Sequence, residues 1–118
     1  MSNLLTSEKR KQQLETELLR LVESIQHKYK PEKIIAFGSF VNGPIHEWSD
    51  LDLAIIKNTN KHFIDRLIEV AHLIDNKLAT DFVVYTPREF TEMARDNYFV
   101  REEIIGKGRV IYDKNKFS

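Results

Sequence analysis

The chain has no cysteine and little glycine or proline, and these shortages exclude several classes of protein. Among its 118 residues there are no cysteines, four glycines and three prolines. Without cysteine, disulfides, thiolate catalysis, iron–sulfur clusters and cysteine-ligated zinc are excluded. Any metal must be held by carboxylates, histidines or backbone oxygens, and a set of carboxylates favours a hard cation such as Mg²⁺.

Long apolar runs and an excess of one charge are also missing. No apolar run approaches the roughly 20 residues of a membrane-spanning helix. The first residues turn charged at once and contain no apolar signal-peptide core, so we expect a soluble, cytoplasmic protein without membrane contact. Eighteen basic residues balance eighteen acidic ones. Because phosphate neutralisation needs a basic excess, no large nucleic acid is expected as a partner.

The hydrophobic pattern predicts one domain over residues 1–118, in which helices alternate with strands. Apolar residues at helical spacing predict a first helix over about residues 7–30, ended by Pro31. A core over about residues 31–113 follows, and its order gives an α/β (α+β) fold with a small mixed sheet flanked by helices. Strands are expected over residues 33–37, 50–56, 81–85 and 109–112, and helices over 62–78, 87–96 and 98–105.

Two aspartates, Asp50 and Asp52, stand two residues apart on a predicted strand. Side chains alternate along a strand, so both carboxylates point to one face while Leu51 and Leu53 point into the core. Two carboxylates on one face repel each other and cost desolvation energy. A divalent cation would neutralise them, and two cations can clamp the attacking and leaving oxygens of an in-line phosphoryl displacement.

A third carboxylate, Asp81, begins the next predicted strand. If that strand lies beside the first pair, Asp81 can complete a metal site or take the proton of an attacking hydroxyl. The alternative is a turn residue that follows Thr80.

Gly38 and Ser39 end the first predicted strand. A glycine there lets backbone N–H groups approach a phosphate, and the serine hydroxyl can add a hydrogen bond or serve only its own loop. Trp48, just before the aspartates, can pack on the loop or shelter a base or a partner. The run 106–109, Gly-Lys-Gly-Arg, is more typical of a turn before an edge strand than of a phosphate-binding segment.

These motifs resemble a known family. Gly38-Ser39, then Gly43, then Ser49-Asp50-Leu51-Asp52 is similar to the G-S … G … [DS]-D-x-D signature of the DNA-polymerase-β-like nucleotidyltransferase superfamily, and the tail over residues 105–112 resembles its minimal nucleotidyltransferases. The resemblance implies the nucleotidyltransferase fold and ATP as nucleotide donor. It assigns catalysis and two Mg²⁺ ions to Asp50, Asp52 and Asp81, and nucleotide contacts to Gly38, Ser39, Gly43 and Ser49.

Members of that family often work as antitoxins beside an all-helical HEPN toxin, and some transfer AMP to a tyrosine of the toxin. The resemblance implies this role and this partner here, and leaves open whether the chain forms homo- or hetero-oligomers. One position departs from the pattern, because Asn42 stands where many members have an arginine before the second glycine. This departure motivates one alternative, an antitoxin that neutralises by complex formation without catalysis. A second alternative is an aminoglycoside-type enzyme that modifies a small molecule, because such enzymes resemble the same signature, although they usually carry a second substrate domain.

Overall fold

The computed structural model describes residues 2–75 and 78–116, and it confirms the predicted combination of a small mixed sheet with flanking helices. The helices are α1 Ser2–Lys28, α2 Ser39–Asn42, α3 Phe63–Leu73 and α4 Pro87–Asp96, followed by a π-helix Phe99–Gly106 and a 3₁₀ turn Lys114–Lys116. The strands are β1 Lys33–Phe37, β2 Leu51–Ile56, β3 Thr80–Tyr85 and β4 Arg109–Asp113.

The four strands form one sheet in the order β3-β2-β1-β4. β1 is antiparallel to both of its neighbours, whereas β2 and β3 are parallel. A parallel pair needs a crossover connection, and α3 supplies it. The register places Asp52 opposite Phe37 on one side and opposite Asp81 on the other.

Helices cover both faces of the sheet. Successive strand residues point to opposite sides, so each strand contacts both helical layers. In β1, Ile34 packs in a large cluster with α1 and α3, whereas Ile35 packs with the π-helix and α4 in a smaller one. β2 divides in the same way, with Leu53 on the α1 side and Ala54 on the π-helix side. Both strands are therefore buried on both faces, and their apolar runs cover residues 34–37 in β1 and 53–56 in β2.

The first helix buries the predicted face, but its ends differ from the expected 7–30. The helix begins at Ser2 and ends at Lys28. Pro31 disfavours right-handed helical geometry at the residue before it, and Lys30 takes the left-handed conformation that often follows a helix end, with φ 54°. Glu17 is buried as well, and the buried apolar side chains are those that the periodicity indicated: Leu14, Leu18, Leu21, Val22, Ile25 and Tyr29.

α3 was predicted to reach Leu78 but ends at Leu73. Ile74 adopts an extended conformation, with φ −119° and ψ 156°, and buries its side chain in the main cluster. Beyond it, the backbone N–H of Leu78 donates to Glu17 Oε2 of α1 over 3.2 Å. These contacts favour an end of α3 at Leu73. No glycine or proline marks this end in the sequence.

The remaining boundaries shift by about one residue, and α4 is confirmed over Pro87–Asp96. Its start carries a capping box in which Thr86 and Glu89 exchange hydrogen bonds. Asp50 lies just before β2 instead of inside it. The predicted short helix near the tail is a π-helix, Phe99–Gly106. Over residues 2–75 and 78–116, no helix has both the length and the apolar character that crossing a bilayer requires.

Candidate active site

The end of β1 and the beginnings of β2 and β3 meet at one edge of the sheet. β2 and β3 are parallel, so both begin at this edge, and β1 ends there because it runs the opposite way. Asp52, the second residue of β2, lies between Phe37 of β1 and Asp81 of β3. Gly38 follows directly after Phe37. The sheet thus brings Gly38, Asp52 and Asp81 together, although up to 43 residues separate them in the chain.

Gly38 lies directly against the Asp52 carboxylate. Its φ is +79°, a conformation that L side chains rarely adopt. A Cβ at this position would lie 2.2 Å from Asp52 Oδ2, inside the contact distance of real atoms. Glycine is therefore required at position 38 for a reason of space as well as of backbone geometry.

Asp52 is held in an environment that disfavours its ionised form. Burial raises the pKa of Asp52 to about 6, with further contributions from the charges of Asp81 and Asp50 and from a side-chain hydrogen bond with Asp81. All three predicted aspartates therefore contribute to one local electrostatic environment. Asp52 is half-buried, while Asp81 is exposed at the start of the edge strand.

The segment before Asp50 is a tight turn anchored to α1. Ser49 is buried, and its Oγ accepts a hydrogen bond from the His46 backbone N–H over 2.8 Å. Arg10 Nε donates to the Ser49 carbonyl oxygen over 2.9 Å. Ser49, predicted as a nucleotide contact, uses its hydroxyl within this turn. Arg10 was not identified from the sequence, because 39 residues separate it from Ser49.

Trp48 stacks on His46 within the same turn, with ring centroids 4.7 Å apart and ring planes 5° from parallel. The indole nevertheless remains 70% exposed. Trp48 thus packs on its own loop, as one of the two predictions had it, and still presents a ring face to solvent.

A cleft of about 220 Å³ opens beside Gly38. Surveyed pockets that enclose a whole drug-sized ligand measure about 300–1,000 Å³, so this cleft suits a phosphate group better than a complete nucleotide. Two segments form its walls, the turn at the end of β1 and the end of the π-helix. The lining residues are Gly38, Ser39, Asn42, Gly43, Glu103 and Lys107.

The carboxylates at the sheet edge fit a hard divalent cation by their chemistry. They supply only oxygen ligands, and a cation would offset the unfavourable burial of the Asp52 charge. In the described parts of the chain, no three His, Cys, Asp or Glu side chains are already grouped as a metal site. The assignment of Asp50, Asp52 and Asp81 as Mg²⁺ ligands therefore stays a prediction.

The fold and this edge of the sheet define a class of protein, the nucleotidyltransferases. Residues 20–117 match the family model described as Polymerase beta, Nucleotidyltransferase. The chain belongs to this family, and the resemblance inferred from its motifs is confirmed.

Two known proteins agree with this membership. The chain is 35% identical over 95 residues to a Haemophilus influenzae protein named Probable protein adenylyltransferase MntA, covering 76% of this chain and 83% of the relative. Among solved structures, a nucleotidyltransferase from Sulfolobus solfataricus is similar with a TM-score of 0.69, covering 94% of this chain and 90% of the other. Sequence identity to that protein is 16%, so this likeness shows the fold alone.

Proposed function

We propose that the chain is a Mg²⁺-dependent nucleotidyltransferase that transfers AMP from ATP to a hydroxyl group of a partner protein. The observation that carries the proposal is the position of Asp52, half-buried beside Asp81 and against Gly38 at one edge of the sheet. Family membership supports the reaction class. The name of the Haemophilus influenzae relative supports a protein as the acceptor.

The three aspartates would hold the metal. The charges of Asp50 and Asp81 both act on Asp52, which supports a shared role of the three carboxylates. When bound there, Mg²⁺ would neutralise phosphate charge and polarise the phosphoryl group. Asp52, which lies between β1 and Asp81 of β3 and feels the charges of both other aspartates, is the ligand whose loss should matter most.

The transfer step conserves atoms and charge without any further reactant. The acceptor oxygen forms a bond to the α-phosphorus of ATP, the bond from that phosphorus to the bridging oxygen breaks, and pyrophosphate leaves. The proton of the acceptor hydroxyl passes to a carboxylate, and we assign this base to Asp81 because it is exposed at the start of its strand. Gly38, Ser39 and Gly43 line the cleft where the phosphates would be oriented.

We further propose that the acceptor is a tyrosine of a helical HEPN-type toxin, which makes the chain an antitoxin. The resemblance of residues 38–43 and 49–52 to the minimal nucleotidyltransferases supports this partner. A relative named as a protein adenylyltransferase agrees with a protein substrate.

Labelled ATP tests the proposal directly. The chain is incubated with Mg²⁺, ATP labelled in the adenine moiety, and a helical HEPN-type toxin. We expect the partner to gain one AMP on a tyrosine, as measured by mass spectrometry, and Asp52→Asn to abolish the transfer. Asp96→Asn, an exposed position at the end of α4, serves as the matched control that retains it. Labelling that survives Asp52→Asn would reject the mechanism.

A second candidate is an antitoxin that acts by binding alone. Asn42 lines the cleft and carries no charge, and this observation favours weak nucleotide binding. Under this alternative, the double variant Asp50→Asn/Asp52→Asn would still neutralise the toxin in cells. Under the catalytic proposal, the same variant leaves the toxin active.

A further inference from the structure

Among its described lining residues, the cleft beside Gly38 has one cation. Of the six described residues that line it, Lys107 carries positive charge and Glu103 negative charge, while the others are neutral. A triphosphate brings several negative charges to an edge of the sheet that already carries Asp50, Asp52 and Asp81. A phosphate in this cleft therefore needs a positive partner beyond the metal, and Asn42 cannot supply one.

The backbone of Lys107 is fixed in place by the end of the π-helix. Its N–H donates to the Glu102 carbonyl oxygen over 3.0 Å, and the next N–H, that of Gly108, donates to the Ile104 carbonyl over 3.1 Å. A Cβ at Gly108 would lie 2.1 Å from that carbonyl oxygen and 2.9 Å from Ile35 Cγ2, so only glycine fits. The chain therefore passes tightly over β1 and presents Lys107 at the cleft.

Lys107 is already paired, but with a partner that a phosphate can replace. Its Nζ lies 3.2 Å from Glu103 Oε2, one helical turn back, and the two side chains are 51% and 38% exposed. Exposed ion pairs of this kind contribute little to stability, whereas charge-assisted hydrogen bonds to phosphate are strong. The other base of the run, Arg109, lies 5.8 Å from the centre of the Phe40 ring instead of lining the cleft.

We propose that Lys107 is the phosphate-binding cation of this cleft, and that Glu103 holds it until the nucleotide displaces the carboxylate. This inference rests on the proposed function and adds to it the residue that binds the triphosphate. It gives the run 106–109 a role in addition to the turn before the edge strand β4. It also explains how an uncharged Asn42 is compatible with nucleotide binding, since the positive charge comes from the opposite wall.

Calorimetric titration of Mg²⁺ and ATP into variants tests the inference. We expect Lys107→Ala to weaken ATP binding about tenfold, Lys107→Arg to retain it, and the affinity for adenosine to stay unchanged. Glu103→Gln should strengthen ATP binding, because it removes the competing carboxylate. The matched control is Lys61→Ala, which breaks a comparable pair, Lys61 Nζ to Glu69 Oε2 at 3.1 Å with the lysine 53% exposed, away from the cleft.

A second-site variant separates a charge effect from a folding effect. In the Lys107→Ala background, Asn42→Arg places a positive charge on the opposite wall of the same cleft and should restore ATP binding. Rescue by a residue from a different element cannot result from repair of the π-helix. Thermal unfolding of each variant is recorded, and Lys107→Met replaces Lys107→Ala if the shorter side chain prevents folding.

The outcomes distinguish this inference from the proposed function. If the unmodified protein binds no ATP in the presence of Mg²⁺, the proposed function fails and this inference fails with it. If the unmodified protein binds ATP and Lys107→Ala binds equally well, Lys107 is not the phosphate cation and the proposed function stands. An equal loss in Lys61→Ala would also overturn the inference, because the effect would then reflect net charge.

Discussion

Gly38 meets two requirements at once, a positive φ and the space taken by a neighbouring carboxylate. We predict that Gly38→Ala displaces Asp52, because the new Cβ would lie 2.2 Å from Asp52 Oδ2. The left-handed conformation should also cost about 1–2 kcal/mol of stability. We expect nucleotide transfer to be lost in a protein that still unfolds cooperatively.

Two measurements separate these effects for Gly38→Ala. Chemical denaturation gives the change in the free energy of unfolding, and the labelling assay gives the transfer rate. A variant that is destabilised but transfers AMP at the original rate would contradict the close contact between position 38 and Asp52.

At this scale the sequence indicated Gly38-Ser39 and the aspartate pair because their chemistry is local in the chain. Asp52 and its strand neighbours were predictable from alternation, and the register then added Asp81 as expected. Lys107 belongs to the run 106–109, for which a turn was favoured over phosphate binding. Arg10 and Glu103 were not predictable as neighbours of the site. They reach it from other elements, and no local pattern encodes a contact between segments that distant.

Between elements, Arg66 of α3 and Glu89 of α4 form a bidentate ion pair. Arg66 Nη1 and Nη2 donate to the two carboxylate oxygens over 2.7 and 3.2 Å, and Nη1 also donates to the Val84 carbonyl of β3. The hydrogen bonds from Arg66 hold the pKa of Glu89 below its ordinary value, despite partial burial that opposes the shift. The pair thus ties two helices on opposite faces to the edge of the sheet at β3.

We predict that Glu89→Gln lowers the free energy of unfolding at pH 7 by about 1–2 kcal/mol. Because the folded state favours ionised Glu89, this contribution is complete above the unfolded pKa of about 4.3. It is lost as the pH falls through the lower folded value, so the difference between the two proteins should shrink in acid. Urea denaturation from pH 7 to pH 3 measures the difference.

The same helix supplies the control for that experiment. Glu92 pairs with Arg88 over 3.3 Å, but the side chains are 54% and 89% exposed. Glu92→Gln should therefore change stability by at most about 1 kcal/mol. Equal losses in the two variants would contradict a special role for the buried guanidinium of Arg66.

Arg10 links the first helix to the turn that precedes the aspartates. Its Nε donates to the Ser49 carbonyl over 2.9 Å, and Ser49 is the residue before Asp50. We predict that Arg10→Ala costs about 1 kcal/mol of stability and lowers the transfer rate more than an equally destabilising change elsewhere. Lys11→Ala, an exposed neighbour on α1, is the control. A transfer rate unaffected by Arg10→Ala would show that the turn does not depend on this bond.

The ends of helices were predicted correctly where a local sequence signal marks them and wrongly where tertiary contacts decide them. α4 was predicted correctly because Pro87 suits the first turn of a helix. The predicted end of α3 was wrong because the observed end depends on burial of Ile74 and on a contact between Leu78 and Glu17. Both are tertiary features. The π-helix was predicted only as a short helix. The spacing of its apolar residues does not indicate which carbonyl oxygen accepts the hydrogen bond of each backbone N–H.

For the molecule as a whole, nucleotide binding should be measurable as an increase in the free energy of unfolding. The partly buried Asp52 carboxylate, close to the charges of Asp50 and Asp81, leaves the unliganded protein with unfavourable charge burial. A ligand that binds only the folded protein at 100 times its dissociation constant adds about 2.7 kcal/mol to the free energy of unfolding. At about 4 °C per kcal/mol for a domain of this size, Mg²⁺ and ATP together should raise the melting temperature by about 10 °C.

The increase should require both components and an intact carboxylate set. ATP with a chelator brings its phosphates to Asp50, Asp52 and Asp81 without a cation between them, so it should stabilise little. Asp52→Asn should remove most of the gain, although the variant alone can be more stable because it buries one charge fewer. Scanning calorimetry measures the melting temperatures of the unmodified protein and of Asp52→Asn. Each is recorded without ligand, with Mg²⁺ and ATP, and with ATP and a chelator. An equal rise with ATP and chelator would mean that the nucleotide binds without the metal, and the assignment of the aspartates would then be wrong.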